Sequence, residues 1–231
     1  MLVENLDLNV LRISIALCML LIASILDMRK REINDILWIG FGGVAAILIL
    51  ISGDPWSTVK SVGISMIIAP IVLVIWRLGV FGGADAFCLI VLASLAPMIS
   101  LHDYQITPLT TLTNAAIIST MPLFVNLGRN LIAMSRKEDI FNGIKETKLN
   151  KVVALFVGYR AKTPKHSFSM ERIEGNQRRL NLGLQHAETT EFCKTSDTWV
   201  TPGVPYIIYI SLGFVIQIIY GDIIFNFIHS F

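Results

Sequence analysis

Three aspartates interrupt long apolar runs in this chain, and an aspartate in hydrocarbon is costly enough to need a reason. Asp27 closes the first run in Ser24-Ile25-Leu26-Asp27-Met28-Arg29. Asp85 opens another in Phe81-Gly82-Gly83-Ala84-Asp85-Ala86-Phe87, and Asp222 lies late in the last, in Tyr220-Gly221-Asp222-Ile223. Two carboxylates that share one proton can activate a water and protonate a leaving amine, because neighbouring like charges do not both ionise. Simpler roles compete for each acid alone. Asp27 can pair with Arg31 one helical turn on, and Asp85 can N-cap the helix it opens.

The elements that must position these acids follow from composition. Of 231 residues, 54% are hydrophobic and 16% charged, with a mean hydropathy of +0.65. An ordinary soluble domain carries about 25% charge, so the solvent expected here is a bilayer. Apolar runs near Val10–Leu26, Ile36–Ile51, Val59–Trp76, Ala84–Ile99, Leu112–Met134 and Val204–Ile228 predict six transmembrane helices. The expected fold is therefore an all-α polytopic membrane protein. Residues 1–134 form a five-helix region carrying Asp27 and Asp85, residues 135–203 a small polar domain of mixed or β-containing character, and residues 204–231 the sixth helix. Within the polar domain, Val152-Val153-Ala154-Leu155-Phe156-Val157 reads as a short strand, and Gly183–Asp197 as a loop without periodicity.

Basic residues set the orientation. Arg29, Lys30 and Arg31 follow the first run, Arg77 follows the third, and most of the rest lie between Ser135 and Thr201. The opposite loops hold only Arg12 and Lys60. This places both termini outside and the polar domain in the cytoplasm, in a multi-pass protein of the cell membrane. Asp27 and Asp85 then share one cytoplasmic depth, whereas Asp222 lies towards the outer face. Only the first pair is expected to meet. Gly82 and Gly83 permit backbone conformations closed to other residues and let a substrate strand come close, although an ordinary flexible turn would also use them.

Cys18, Cys88 and Cys193 share no metal-ligand spacing; Cys18 and Cys88 read as small core residues. His102, His166, His186 and His229 are scattered, and none is assigned a role. No metal, cofactor or nucleic acid is called for. The N-terminus does not read as a removable signal peptide. A proton- or ion-coupled transporter using Asp27 and Asp85 is the main alternative, although transport sites favour the bilayer midplane and internal repeats. A scaffold binding anionic lipid through the polar domain is a weaker one, since its lysines and arginines alternate with Glu138, Asp139, Glu146, Glu171 and Glu174.

An apolar helix ending in Asp27, the basic Arg29–Arg31 loop with Glu32-Ile33-Asn34-Asp35, and Gly82-Gly83-Ala84-Asp85 after the third run together resemble the GxGD aspartic proteases of the type IV prepilin peptidase class. More narrowly they resemble the archaeal preflagellin peptidases, a likeness that extends through Trp199-Val200-Thr201-Pro202 to Gly221-Asp222. The resemblance implies six spans with a cytoplasmic domain between the fifth and sixth. It also implies cleavage of short basic leaders from preflagellins, just after a glycine and before a hydrophobic helix. Asp27 and Asp85 would be catalytic, and Gly82, Gly83 and Ala84 the active-site loop. Ala84 replaces the family's usual second glycine, and Phe87 stands where many relatives carry lysine. The paired CxxC motifs of methylating bacterial relatives are missing, so no methyl transfer and no zinc are expected. The partners implied are preflagellins or other type IV pilin-like precursors and membrane lipid. Glu32 and Asp35 are candidates to meet the basic leader; as competing roles, Asp35 can cap the second helix and Glu32 can pair with nearby arginines.

Overall fold

The computed structural model describes residues 2–101, 104–175, 177–183 and 190–230; His102 and His186 lie outside them. The chain divides into two compact units, Met1–Ser119 with Pro205–Phe231, and Thr120–Val204.

The first unit is helical. A 29-residue helix, α1 (Leu2–Lys30), is followed by α2 (Asp35–Leu50), α3 (Pro55–Ser65), α4 (Ile68–Arg77) and α5 (Gly83–Leu95). A short antiparallel hairpin, β1 (Ile99–Leu101) with β2 (Tyr104–Ile106), leads to α6 (Pro108–Ile118). Local chemistry sets these boundaries. Asn34 caps α2 by accepting the Ile36 N–H at 2.9 Å, so the cap is Asn34 and not Asp35. Asp54 and Thr107 cap α3 and α6, each with a proline at the first helical position. The break between α3 and α4 falls at Met66 and Ile67. There Pro70 has no N–H for Met66 O, and its ring crowds that carbonyl. Helix α5 stops before Pro97, which disfavours a helical Ala96 (φ −120°, ψ 64°).

By length and composition, Leu8–Lys30, Pro55–Arg77 and Pro108–Ser135 are apolar enough to cross a membrane. The remaining helices of the first unit, α9 (Tyr206–Tyr220) and α10 (Ile223–His229), count as a fourth if taken together across a 44° bend. Helices α2 and α5 are apolar but shorter, at 16 and 13 residues. Large apolar side chains such as Ile36, Ile39, Leu50 and Trp56 face outward, as lipid-facing positions do. Cys18 is exposed on α1, contrary to its reading as a core residue, while Cys88 is buried.

Inside, Ala16, Met19, Leu20, Leu89, Leu92, Ile207, Ile210 and Phe214 are among the residues that pack one apolar core. A polar seam runs beside it between α6 and α9. Thr111 Oγ1 donates to Gln217 Oε1 at 2.6 Å, and Gln217 Nε2 donates to Thr107 O at 3.0 Å. The seam is close because Gly213 faces α6; a Cβ there would stand 2.7 Å from Thr111 O and 2.8 Å from Ala115 N.

The second unit joins α7 (Met121–Ser135) and α8 (Lys148–Val157) to five strands: β3 (Tyr159–Ala161), β4 (Ser167–Ser169), β5 (Glu171–Glu174), β6 (Gln177–Leu180) and β7 (Thr198–Pro202). Strands β3, β7 and β4 form an antiparallel sheet in that order, and β5 pairs with β6. The apolar stretch Val152–Val157 is helical, not a strand. Thr147 caps its helix by accepting the Asn150 N–H at 3.2 Å. From α7, Asn130 Nδ2 donates to Leu155 O and Gly158 O, and Asn126 Nδ2 to Phe156 O, so α7 side chains close the end of α8. Trp199 is fully buried, stacks on Phe141 at 4.7 Å, and donates its indole N–H to Ile140 O at 2.7 Å.

Gly158 lies where α8 passes into β3, and a Cβ there would overlap Met170 Sδ and approach Val200 O to 2.6 Å. Gly158→Ala is therefore expected to destabilise this unit by about 1–3 kcal/mol through overpacking. Gly143, with open space around it but φ +79°, should tolerate alanine only at the cost of backbone strain. Amide exchange across β3, β7 and β4 separates the two: Gly158→Ala should accelerate exchange throughout the sheet, and Gly143→Ala only near residue 143.

Candidate active site

Asp27 sits in the last turn of α1, half-buried. The helix ends at Lys30 because Arg31 turns to φ +56°, and the Arg31 N–H still reaches Asp27 O at 3.1 Å. The Arg31 charge acts on the Asp27 carboxylate without forming an ion pair with it among the described residues. Asp85 is 8% exposed. It is not the N-cap of α5 but the third residue within it. Gly82 holds the cap position, and its N–H donates to Asp85 Oδ2 at 2.9 Å, the reciprocal half of a capping box. Gly82 has φ −81° and ψ 167°, and Gly83 begins the helix. Neither uses the left-handed freedom of glycine, which among the described glycines belongs to Gly79, Gly143, Gly175 and Gly221. Ala84, inside α5, meets no conformational obstacle either.

The relative depth of the two acids can be read from hydrogen bonds at the far end of their helices. Arg12, on α1, is 2% exposed. Its guanidinium donates to Leu48 O at 2.9 Å and Leu95 O at 3.3 Å, among the final carbonyls of α2 and α5. With a rise of 1.5 Å per residue, Asp27 stands about 22 Å along α1 from Arg12, and Asp85 about 15 Å along α5 from Leu95. Helical side chains lean towards their N-terminus. Asp27 therefore leans back towards Arg12 and Asp85 away from Leu95, which narrows the difference. Two further contacts locate the same layer. Ser24 and Ser211 share a hydrogen bond of 2.8 Å between α1 and α9, and Phe81 stacks on Tyr206 at 5.3 Å where α9 begins. Cys88, one turn beyond Asp85, is fully buried within electrostatic reach of both carboxylates.

Asp222 is elsewhere. It caps α10, accepting the Phe225 N–H at 3.0 Å, and receives Thr110 Oγ1 at 3.4 Å. The turn before it uses Gly221 at φ +87°, with Asn114 bonded to Gly221 O and to the Ile223 N–H. Tyr206 and Tyr220 bound a 15-residue helix, so Asp222 lies more than about 20 Å from the Phe81–Tyr206 stack along α9. Glu32 and Asp35 are exposed and carry no ion pair among the described residues; Asp35 lies in the first turn of α2. Phe87 is 40% exposed beside Trp76, with ring centroids 6.2 Å apart. Among the described residues no three His, Cys, Asp or Glu side chains gather in metal-binding range.

Residues 14–124 match the type IV leader peptidase family, and residues 150–223 match the archaeal peptidase A24 C-terminus, type II. The preflagellin peptidase of Methanococcus maripaludis is 30% identical over 92% of this chain and 96% of its own length. This chain belongs to the type IV leader peptidase family. The preflagellin peptidases of Methanocaldococcus jannaschii, 29% identical over 88% of this chain and 91% of the relative, and of Methanococcus voltae, 27% identical over 93% and 97%, are similar along the same length. The chain is accordingly a protease, and the family gives the transporter reading no support.

Sequence reading passed over two residues of this leader peptidase that set the layer. Arg12 reads in the sequence as a loop charge, although a lone arginine within an apolar run is itself a signal of an internal role. Tyr206 carried no signal beyond being aromatic at the start of a helix. Asp222, by contrast, is accounted for by capping. Asp222→Ala should fray α10 at a cost of about 1 kcal/mol while leaving precursor cleavage near the wild-type rate. Parallel hydrogen exchange over residues 221–230 and a cleavage time course check both halves.

Proposed function

We propose that this leader peptidase removes the short basic leader of preflagellin-type or other type IV pilin-like precursors, cutting after a glycine at the cytoplasmic membrane face, with Asp27 and Asp85 as its catalytic pair. The observation that carries the reading is that Asp27, in the last turn of α1, and Asp85, in the first turn of α5, lie on helices that pack together, in a chain similar to preflagellin peptidases over nearly its whole length. Six crossings with both termini outside agree with it. The short α2 and α5 then serve as the second and fourth spans. Helix α5 is only about 20 Å long, less than a hydrocarbon core of about 30 Å. Its opening turn thus lies below the membrane surface, where a precursor's hydrophobic helix meets its polar leader.

The chemistry needs one proton between two acids. Asp85 sits at a helix N-terminus with a backbone N–H on its carboxylate, both of which favour the anion; Asp27 sits at a helix C-terminus, which disfavours it. Asp85 is therefore the base and Asp27 the acid. Asp85 takes a proton from water as the oxygen attacks the scissile carbonyl carbon, and Asp27 gives its proton to the carbonyl oxygen, forming a gem-diol. Cleavage of the C–N bond returns the Asp85 proton to the leaving amine, and the diol returns the other to Asp27. A carboxylic acid and a new amino terminus result, and the pair is reset.

Co-expression with a candidate precursor, scored by its shift to mature size, tests this. Asp27→Asn and Asp85→Asn should each slow cleavage by roughly 10²–10⁴-fold at normal membrane expression. Full cleavage by either variant would refute the pairing.

Exposed Glu32 is the acidic group proposed to meet the basic leader. Glu32→Lys should slow cleavage of a Lys-rich leader several-fold, and changing the leader's Lys to Glu should restore part of the rate. Independent effects without rescue would return Glu32 to the scaffold.

A further inference from the structure

The turn after α1 and the first turn of α2 hold two buried hydrogen-bond donors with no partner among the described residues, Arg31 Nε and Trp38 Nε1. The acid–base steps above use neither. Arg31 is anchored where it stands: its backbone N–H bonds Asp27 O, and its charge acts on the Asp27 carboxylate. Trp38 is 5% exposed and belongs to the apolar core of the first unit.

The depth of Trp38 follows from the same guanidinium that locates the acids. Leu48 lies ten residues beyond Trp38, as Leu95 lies ten beyond Asp85, and Arg12 binds both leucine carbonyls. Helices α2 and α5 pack together, so equal numbers of residues from a common anchor bring Trp38 level with Asp85. The unpaired indole N–H is thus level with Asp85, and the unpaired guanidinium N–H belongs to the residue whose backbone bonds Asp27 O.

A buried donor without an acceptor is rare in a folded protein and calls for an occupant. The substrate presents the complementary need. A peptide bond in a helix must be drawn out of it before water can attack, and each residue drawn out loses the partner of its carbonyl. At membrane depth, water does not replace that partner, so irregular backbone is tolerated only against protein groups that satisfy it.

We propose that Arg31 and Trp38 form a cradle for the substrate backbone, donating their side-chain N–H groups to carbonyl oxygens of the unwound precursor segment beside the scissile bond. The inference rests on the proteolytic reading and deepens it. The donors hold the strand at the level of the acids, and the same bonds favour the unwound conformation over the helical one. Recognition through carbonyl oxygens is indifferent to side chains, so the cradle sets where a precursor is cut and not which precursor is accepted.

Trp38→Phe keeps a buried aromatic ring and removes the N–H. Wild type and Trp38→Phe are compared on one precursor in detergent micelles, with thermal midpoints measured in parallel and Asp27→Asn as the inactive control. The cradle predicts a fall in kcat/KM of about tenfold or more, with a midpoint unchanged or raised, because the resting N–H has no bond to lose. Arg31→Lys, which keeps the charge near Asp27 but lacks Nε, should also lose cleavage without losing stability. Unchanged kinetics in Trp38→Phe would overturn the cradle, and so would a lowered midpoint that tracks the loss of cleavage. If phenylalanine prevents folding, 3-benzothienylalanine at position 38, which exchanges the N–H for sulfur at nearly constant shape, gives the same two readouts. A wild-type protein that cleaves no precursor would overturn the proteolytic reading itself, whereas failure of the cradle alone leaves wild-type cleavage intact.

Discussion

Arg12 occupies a position that an apolar side chain would fill more cheaply, and the first unit depends on it. A buried guanidinium is tolerated only when its donors are met. Here they meet carbonyls that the ends of α2 and α5 leave without helical partners. The charge also sits at the negative ends of two helix dipoles at once. Each partner thereby relieves the other: the cation is solvated by backbone, and two helix ends buried away from water are closed. Because one planar group holds both carbonyls, α2 and α5 cannot slide past each other without breaking a charge-assisted hydrogen bond. Register at one end of a pair of rigid helices fixes register at the other. Asp85, Trp38 and the start of α2 inherit their relative depth from a contact about 15 Å away.

The opposite end of α5 is completed with the reverse polarity. Asp85 accepts the Gly82 N–H within the first turn, so the helix carries an anion at its positive end and faces a cation at its negative end. This explains how a 13-residue helix in so apolar a setting can begin and end abruptly. It also constrains the chemistry. The bond that closes the capping box is made by the carboxylate proposed as base, so its Oδ2 is already committed to the Gly82 N–H. The backbone dihedral angle does not require glycine at the cap, since φ −81° at Gly82 is open to any residue.

What the sequence disclosed, and what it hid, divides along a physical line. That Asp27 closes one helix and Asp85 lies in the first turn of another was legible because a carboxylate at the edge of an apolar run stands out against hydrocarbon. The asparagine that caps α2, the role of Arg12 and the third-position placement of Asp85 were not, because each depends on which carbonyl or N–H lies within 3.5 Å once helices pack. The stretch Val152–Val157 misled for a related reason. Its β-branched valines favour a strand by propensity, but Thr147 caps a helix there, and Asn126 and Asn130, distant in sequence, satisfy that helix's last carbonyls. Tertiary partners decided what local preference left open.

The second unit shows the same economy at its surface, where a charge costs less than in a core. Arg160 grips Asp197 through two bonds of 2.8 Å and extends a third to Asp139 O. That hydrogen-bonded pairing with Arg160 holds the Asp197 carboxyl below its ordinary range. The pair's contribution is therefore complete above the normal aspartate range and is lost only as pH falls through the lowered value. The strand register places Arg160 opposite Trp199, so this surface clamp closes over the one indole that the unit buries completely. Where the first unit uses a buried cation against backbone carbonyls to set helix depth, the second uses a half-buried cation against an exposed carboxylate to hold a strand edge. The difference follows from solvent. A carboxylate partner for Arg12 would itself have had to be buried, whereas carbonyls at helix ends were there already and needed a donor.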